Sequence, residues 1–237
     1  MFYDKYRAYL RSLRQTLNTI SANVGNVASS DVISRVIRIS HQDSAHFIYE
    51  NCEVAVLCYS REELWDFALK SVKNPQGLFL EFGVADGYSL NVMAPKIPDV
   101  TFFGFDSFEG LPEAWHGTNG YLKGAFDRKG TLPDVPQNVR LIKGWFEETV
   151  PSFQPLKTNL KISFIHLDAD IYSSTKTVLN LVGDKLCSGS IIVFDEYHGY
   201  PGWQNGEKRA WEEYLITTNL EYKFIAFSQM QAAIEII

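Results

Sequence analysis

Residues 78–89 of the chain read Leu78-Phe79-Leu80-Glu81-Phe82-Gly83-Val84-Ala85-Asp86-Gly87-Tyr88-Ser89 and give the strongest indication of its fold. Its apolar first part predicts a strand buried on both faces, and its two glycines predict a tight turn into a helix. Such a turn lets a ligand approach the backbone, and the amides that open the next helix can bind a negative group. We therefore predict that Glu81, Gly83, Gly87 and Ser89 bind a cofactor, with Glu81 holding an ammonium group.

Short apolar runs predict seven strands, at residues 78–82, 101–105, 139–142, 162–167, 190–194, 222–227 and 232–237. The early runs are apolar on both faces and separated by segments long enough for crossover helices, which is typical of a parallel sheet. Only residues 228–231 separate the last two runs, so the final strand is predicted to be antiparallel to its neighbour. The predicted fold is α/β, a Rossmann-like seven-stranded sheet of the methyltransferase type. We expect one domain over residues 1–237, with a helical region at 1–76 and the core at 77–237.

The composition of the chain limits the kinds of partner that it could bind and the cellular compartment that we expect for it. The chain has 237 residues, of which 46% are hydrophobic, and its formal net charge is −6, which argues against nucleic acid as a partner. Cys52, Cys58 and Cys187 form no CxxC pair, so neither a disulfide framework nor a zinc site is indicated. No apolar run reaches the roughly 18 residues of a membrane span. We expect a cytoplasmic protein with a small-molecule acceptor and no membrane partner.

Two segments outside the sheet have their own patterns. The first 20 residues carry an apolar stripe at helical spacing, which we expect to pack against the chain's own core, although a homodimer or higher homo-oligomer stays open. Residues 107–138 form an unusually long connection rich in glycine and proline. Connections of this length are often lids or binding loops.

An acid and two aromatic residues extend the cofactor motif. Asp106 ends the second strand about 20 residues beyond the glycine turn, where nucleotide-binding folds place a carboxylate on ribose hydroxyls. A NAD enzyme would share this acid but would normally carry GxGxxG, and the residue two after Gly83 is Ala85. Trp145 and Phe146 follow the third strand, where an adenine could stack. The motif therefore favours S-adenosylmethionine, with hydride transfer as a minor alternative.

Four acids follow two neighbouring strands of the predicted sheet. Asp168 and Asp170 end the fourth strand, and Asp195 and Glu196 end the fifth. Carboxylates that converge in this way repel each other unless a cation or protons intervene, and Mg²⁺ or another hard divalent cation is the simplest answer. We predict Asp168, Asp195 and Glu196 as metal ligands, with Asp168 also close to the cofactor.

A metal together with a base suits one kind of methyl transfer. Alkyl hydroxyls are very weak acids, so their methylation needs orientation, charge stabilisation and removal of a proton. Asp170 is a candidate for the base, and His198 is its rival. His166 lies inside an apolar strand, where we expect a core histidine with its polar atoms satisfied.

These motifs together resemble the macrocin O-methyltransferase family, whose members methylate sugar hydroxyls of macrolide and aminocoumarin antibiotics in a magnesium-dependent reaction. The resemblance covers roughly residues 78–213 and lies in the segments 81–84, 104–113, 143–146, 166–175 and 194–197. It implies cofactor contacts from the first three segments, which adds Ser107. It also implies metal ligation by Asp168, Asp195 and Glu196, and base catalysis by Asp170.

The leading hypothesis is thus a magnesium-dependent O-methyltransferase that acts on a sugar or polyol hydroxyl of a small-molecule natural product. Two other hypotheses are consistent with the same predicted cofactor-binding residues. One is a metal-independent methyltransferase that acts on nitrogen or on a phenol, and the other is a cofactor-binding protein without catalysis.

Overall fold

The computed structural model describes residues 31–116 and 120–237. The predicted N-terminal stripe lies outside these residues. The helices are α1 (Val32–Asn51), α2 (Arg61–Ser71), α3 (Tyr88–Met93), α4 (Phe146–Thr149), α5 (Tyr172–Val182) and α6 (Glu207–Ile216). The strands are β1 (Val56–Leu57), β2 (Leu78–Phe82), β3 (Phe102–Asp106), β4 (Val139–Lys143), β5 (Ile162–Leu167), β6 (Ile191–Phe194), β7 (Tyr222–Phe227) and β8 (Ala232–Ile236). Within the described residues, no helix is both long enough and apolar enough to cross a membrane.

The eight strands of residues 31–116 and 120–237 belong to one sheet, in the order β1-β7-β8-β6-β5-β2-β3-β4. Neighbouring strands are parallel except at β8, which runs antiparallel to both β6 and β7. The predicted Rossmann-like sheet with an antiparallel last strand is therefore confirmed. The structure adds the two-residue strand β1, which pairs with β7 at the sheet edge and lies in the region that we predicted to be helical.

The central strands are buried on both faces, which explains their continuous apolar sequence. Side chains alternate between the faces of a strand, so Leu80 and Phe82 pack under α5 and α6 while Phe79 packs against α2 and α3. Charged or titratable side chains interrupt this pattern at Glu81 in β2 and His166 in β5, and these two contact each other. The core therefore covers both faces of the sheet and leaves the strand ends to the polar residues.

Helix α1 is anchored to the segment that follows β6. Asp31 caps its first turn by accepting a hydrogen bond from the Ser34 N–H at 3.1 Å. Further along, the Ser44 hydroxyl accepts a hydrogen bond from the Gly199 N–H at 2.9 Å. The Phe47 ring packs among four other rings, those of Tyr197, Trp203, Phe224 and Phe227.

The carboxyl ends of β2, β3, β5 and β6 are held together by backbone bonds just beyond the strands. The Gly83 N–H donates to Phe105, the Asp168 N–H to Phe82 and the Asp195 N–H to Leu167, each at 2.9 Å. Gly83 has a φ of +92°, and a Cβ there would lie 1.6 Å from the Asp168 carbonyl oxygen. We predicted that Gly83 lets a ligand approach the backbone. Its lack of a side chain also lets the end of β5 approach the end of β2 closely.

We expect Gly83→Ala to lower the free energy of unfolding by more than the backbone strain of a positive φ accounts for, because the new Cβ would also collide with Asp168. Gly189 is the control, because its φ is +88° and a Cβ there would meet nothing within 4 Å. Urea unfolding should show a loss of about 1 kcal/mol for Gly189→Ala and a loss larger by at least about 2 kcal/mol for Gly83→Ala. Equal losses would show that the approach to Asp168 is unimportant.

Candidate active site

A cavity of about 1050 Å³ lies at the carboxyl ends of β2 to β6. Most of the predicted site residues line it: Gly83, Ser89, Asp106, Ser107, Trp145, Phe146, Asp168, Asp170, Asp195 and Glu196. Glu81, Gly87 and His198 do not. The opposite wall comes from α1 and from the long connection after β3. The predicted cofactor-binding residues and the predicted carboxylate cluster thus line the same cavity at this end of the sheet.

The three predicted metal ligands converge. One carboxylate oxygen from each of Asp168, Asp195 and Glu196 lies within 4.8 Å of the others. The Glu196 Oε2 atom is buried and has no hydrogen-bond partner among the described residues. A buried oxygen without a partner is costly, so this donor set fits a hard cation that prefers oxygen ligands.

The electrostatics of the cluster reflect burial and crowding. Burial, together with the charge of Asp195, raises the pKa values of Asp168 and Glu196 well above their ordinary range. For Asp195, burial would also raise the pKa, but the hydrogen bond and charge of His166 bring it below its ordinary value. The cluster is therefore short of positive charge, which is the condition that a divalent cation relieves.

Asp170 lies beside this cluster in an unusual backbone conformation. Its φ is +60°, which few non-glycine residues adopt. Burial, with the charges of Asp195 and Asp106, raises its pKa to about 7. Strained residues of this kind concentrate at functional sites.

His198, the rival base, lies behind the cavity wall. It is 1% exposed, its Nε2 atom is 3.2 Å from the Gln231 carbonyl oxygen, and its ring packs near Phe227. Burial lowers its pKa to about 4. It is therefore a neutral side chain without access to the cavity.

Glu81 and His166 form a buried chain that ends at the carboxylate cluster. His166 Nδ1 lies 2.8 Å from Glu81 Oε1 and its Nε2 lies 3.4 Å from Asp195 Oδ1. Burial would lower the His166 pKa, but the two carboxylates raise it well above its ordinary value. The Ser89 hydroxyl donates to Glu81, and a Glu81 oxygen lies within 4.8 Å of one of Asp168, so Glu81 lies behind two residues that line the cavity. Its predicted contact with an ammonium group stays a prediction.

The glycine turn is tied to β3 through Asp106. The N–H groups of Val84 and Ala85 both donate to Asp106 Oδ2 at 2.8 Å, and the Phe108 N–H donates to Oδ1 at 2.6 Å. Gly87 has a φ of +82° and begins α3 without lining the cavity. Asp106 thus fixes the turn, and its predicted contact with a ribose stays a prediction.

Several cavity residues were not found from the sequence. Arg61 begins α2, and Ile33, Val36 and Ile37 come from α1, more than 40 residues before the glycine turn. No local motif marks these positions, because they reach the cavity only through tertiary packing. The connection 107–138, in contrast, was predicted as a binding loop, and its aromatic residues Trp115, Tyr121 and Phe126 do line the cavity.

The sequence profile of the macrocin-O-methyltransferase (TylF) family matches residues 68–230. The chain belongs to this family. The predicted membership is therefore confirmed, and the family is named for the O-methylation of macrocin.

Two curated relatives of the chain are named as O-methyltransferases. The 8-demethyl-8-(2,3-dimethoxy-α-L-rhamnosyl)-tetracenomycin-C 4'-O-methyltransferase of Streptomyces olivaceus is 32% identical over 111 residues, 39% of this chain and 40% of that protein. The demethyldecarbamoylnovobiocin O-methyltransferase of Streptomyces niveus is 28% identical over 147 residues, 52% of this chain and 54% of that protein. The matched part thus spans about half of these relatives or less.

A solved calicheamicin methyltransferase has the same fold. It superposes with a TM-score of 0.58 at 25% identity, over 74% of this chain and 78% of that chain. The confirmed sheet is thus that of a methyltransferase.

One further acid supports the cluster from α6. Glu207 is fully buried, its Oε2 atom accepts the Glu196 N–H at 2.9 Å, and its Oε1 atom accepts the Thr175 hydroxyl at 3.3 Å. Burial raises the pKa of Glu207 to about 8, against the opposing effect of the Glu196 N–H. Glu207 therefore positions the backbone of a predicted metal ligand.

We expect Glu207→Gln to stabilise the metal-free protein increasingly as the pH rises. Between the ordinary value of 4.5 and the native value of about 8, the native state holds a proton that the unfolded state has released. Native stability therefore falls across this window by up to about 1.4 kcal/mol per pH unit. Glutamine removes this loss, since it does not titrate. Its amide oxygen can accept the Glu196 N–H, and its NH2 group can donate to the Thr175 hydroxyl, which then donates to the Ile171 carbonyl.

Urea unfolding in EDTA at pH 5.5 and pH 8.5 measures this difference, with the exposed Glu221→Gln as the control. A gain for Glu207→Gln that is equal at the two pH values would contradict the titration of Glu207.

Proposed function

We propose that this protein transfers a methyl group from S-adenosylmethionine to a hydroxyl of a small-molecule acceptor, with the aid of a divalent cation such as Mg²⁺. One observation carries the proposal. The three carboxylates of Asp168, Asp195 and Glu196, with Asp170 beside them, face the same cavity as the glycine turn after β2. Membership of an O-methyltransferase family supports the same chemistry.

The sheet order suggests how the cofactor lies. Asp106, Ser107, Trp145 and Phe146 line the cavity at the ends of β3 and β4, which suits the ribose and the adenine. The methionine part then extends along the glycine turn of β2, past Ser89, towards β5 and β6. In this orientation the sulfonium methyl group faces the carboxylate cluster.

The acids divide into two roles. Asp168, Asp195 and Glu196 would hold the cation, whose chemistry there is to orient the acceptor hydroxyl and stabilise its developing negative charge. Asp170 accepts the hydroxyl proton as the oxygen bonds to the methyl carbon. The carbon–sulfur bond breaks with its electron pair left on sulfur, so the charges balance. His198 does not line the cavity, which supports Asp170 as the base.

The outer part of the cavity suits an acceptor with flat apolar faces, such as a sugar on an aromatic aglycone. Trp115 stacks with Tyr121 at 5.7 Å between ring centroids and meets Tyr200 edge-on at 5.7 Å. Tyr121 also contacts Phe126 at 4.9 Å. Aromatic surfaces of this kind bind sugar faces and ring systems without strict hydrogen-bond requirements.

The direct test is methyl transfer from labelled S-adenosylmethionine to the acceptors that the two curated relatives are named for. We expect transfer to at least one glycosylated acceptor, loss of turnover in EDTA and its recovery with Mg²⁺. Turnover that is insensitive to EDTA would favour a metal-independent N- or phenol O-methyltransferase. Absence of S-adenosylhomocysteine binding in calorimetry would reject the cofactor.

We expect Asp170→Asn to lower kcat by roughly 10²- to 10⁴-fold, the usual contribution of a positioned base. Binding of S-adenosylhomocysteine, measured by calorimetry, should change less than about twofold, since Asp170 touches the acceptor rather than the cofactor. The exposed Asp184→Asn is the matched control. Full turnover in Asp170→Asn, with His198→Gln inactive, would reverse the assignment of the base.

We expect Asp168→Asn and Glu196→Gln each to weaken Mg²⁺ binding by at least about tenfold, because each removes a charged oxygen ligand. Calorimetric titration of the protein with Mg²⁺ alone measures this affinity without any acceptor. Asp184→Asn again controls for the loss of one charge. Unchanged Mg²⁺ affinity in both variants would show that the cation binds elsewhere.

A further inference from the structure

We propose that Arg61 binds the carboxylate of the methionine part of S-adenosylmethionine. This inference rests on the proposed function and assigns a residue that precedes the segment matched by the family profile, residues 68–230. It gives the start of α2 a direct part in cofactor binding.

Arg61 is placed above the glycine turn. Its guanidinium lies 4.8 Å from the Tyr88 ring centroid and 5.2 Å from that of Trp65, and it lines the cavity. One of its terminal nitrogens is 3.9 Å from Asp195 Oδ2, at the limit of an ion pair. Its Nε lies 3.5 Å from Glu62 Oε1 in the same turn of α2. The guanidinium therefore lies between the glycine turn and the carboxylate cluster, and its remaining N–H groups can donate to a ligand.

The start of α2 is fixed in this position. The Ser60 hydroxyl caps the helix by accepting the Glu63 N–H at 3.2 Å. The Tyr88 hydroxyl donates to Glu62 Oε1 at 2.9 Å and so joins the first turn of α2 to the first turn of α3. Arg61 is thus held over the turn by its neighbours on both helices.

The turn itself offers few free donors for a carboxylate. We expected its amides to bind a negative group, but four of them are engaged within the protein. The N–H groups of Val84 and Ala85 donate to Asp106, that of Gly87 to the Val84 carbonyl, and that of Tyr88 to Asp86 Oδ1. With these four amides engaged, a donor from outside the turn would strengthen the binding of a methionine carboxylate there.

The negative charge of the cavity also favours a cationic partner for the cofactor carboxylate. The cofactor carries an ammonium and a sulfonium, which suit an acidic cavity, but its carboxylate would be repelled there. Among the cavity-lining residues that the structure describes, only Arg61 and Arg128 are cationic. An arginine can bind a carboxylate through two parallel hydrogen bonds.

Arg128 lies on the other side of the cavity. It follows β3 in the long connection, its N–H donates to the Phe108 carbonyl and its Nε donates to the Thr131 carbonyl at 3.1 Å. That location is next to Asp106 and Ser107, on the ribose side. Arg61 is the cation on the methionine side.

The test compares two ligands that differ in the amino-acid part. S-adenosylhomocysteine carries the carboxylate, whereas 5'-methylthioadenosine lacks the whole amino-acid portion. We expect Arg61→Gln to weaken binding of S-adenosylhomocysteine by roughly 10- to 100-fold, with binding of 5'-methylthioadenosine changed less than about twofold. Arg61→Lys should recover part of the loss. Calorimetry in EDTA removes any effect that Arg61 has on a cation through Asp195.

Lys70→Gln is the matched control, since it removes a positive charge from the same helix outside the cavity. It should leave both affinities unchanged. Unchanged S-adenosylhomocysteine binding in Arg61→Gln, or an equal loss for both ligands, would overturn the role of Arg61 and leave the proposed function intact. A wild-type protein that binds neither ligand would overturn both.

Discussion

The site depends on one close approach, that of the Gly83 backbone to the carbonyl of Asp168. β2 and β5 are neighbours in the sheet, so their ends carry the glycine turn and the first cavity acid side by side. A side chain at position 83 would push these two ends apart and would separate the turn from the acids. Backbone packing therefore sets the distance between the cofactor motif and the carboxylate cluster.

The same closeness carries an electrostatic cost. Asp168, Asp195, Glu196 and Glu207 share a poorly solvated edge, and burial acts to raise the pKa of each of them. Within the described residues, His166 is the buried side chain that offsets this charge directly, through its bond to Asp195. An ion that binds only the native cluster would add its binding free energy to the stability of the fold.

The sheet and the acid cluster were predictable because short, contiguous stretches of the sequence indicate both of them. Continuous apolar runs marked the central strands, and acids directly after two neighbouring strands marked Asp168, Asp195 and Glu196, which the structure brings together. Strand β1 is two residues long and gave no such signal. Arg61 and Glu207 were not predicted, because their roles arise from helices that dock from distant parts of the chain.

Helix α1 places Ile33, Val36 and Ile37 in the cavity wall, while the predicted metal ligands and the proposed base directly follow strands of the sheet. The helix is attached through Phe47 and Ser44, away from these three residues. Substitutions on its inner face would therefore reshape the space for an acceptor and leave the strand ends in place. Under the proposed function, this arrangement would let acceptor preference diverge during evolution at little risk to the chemistry, since the two properties would depend on separate segments.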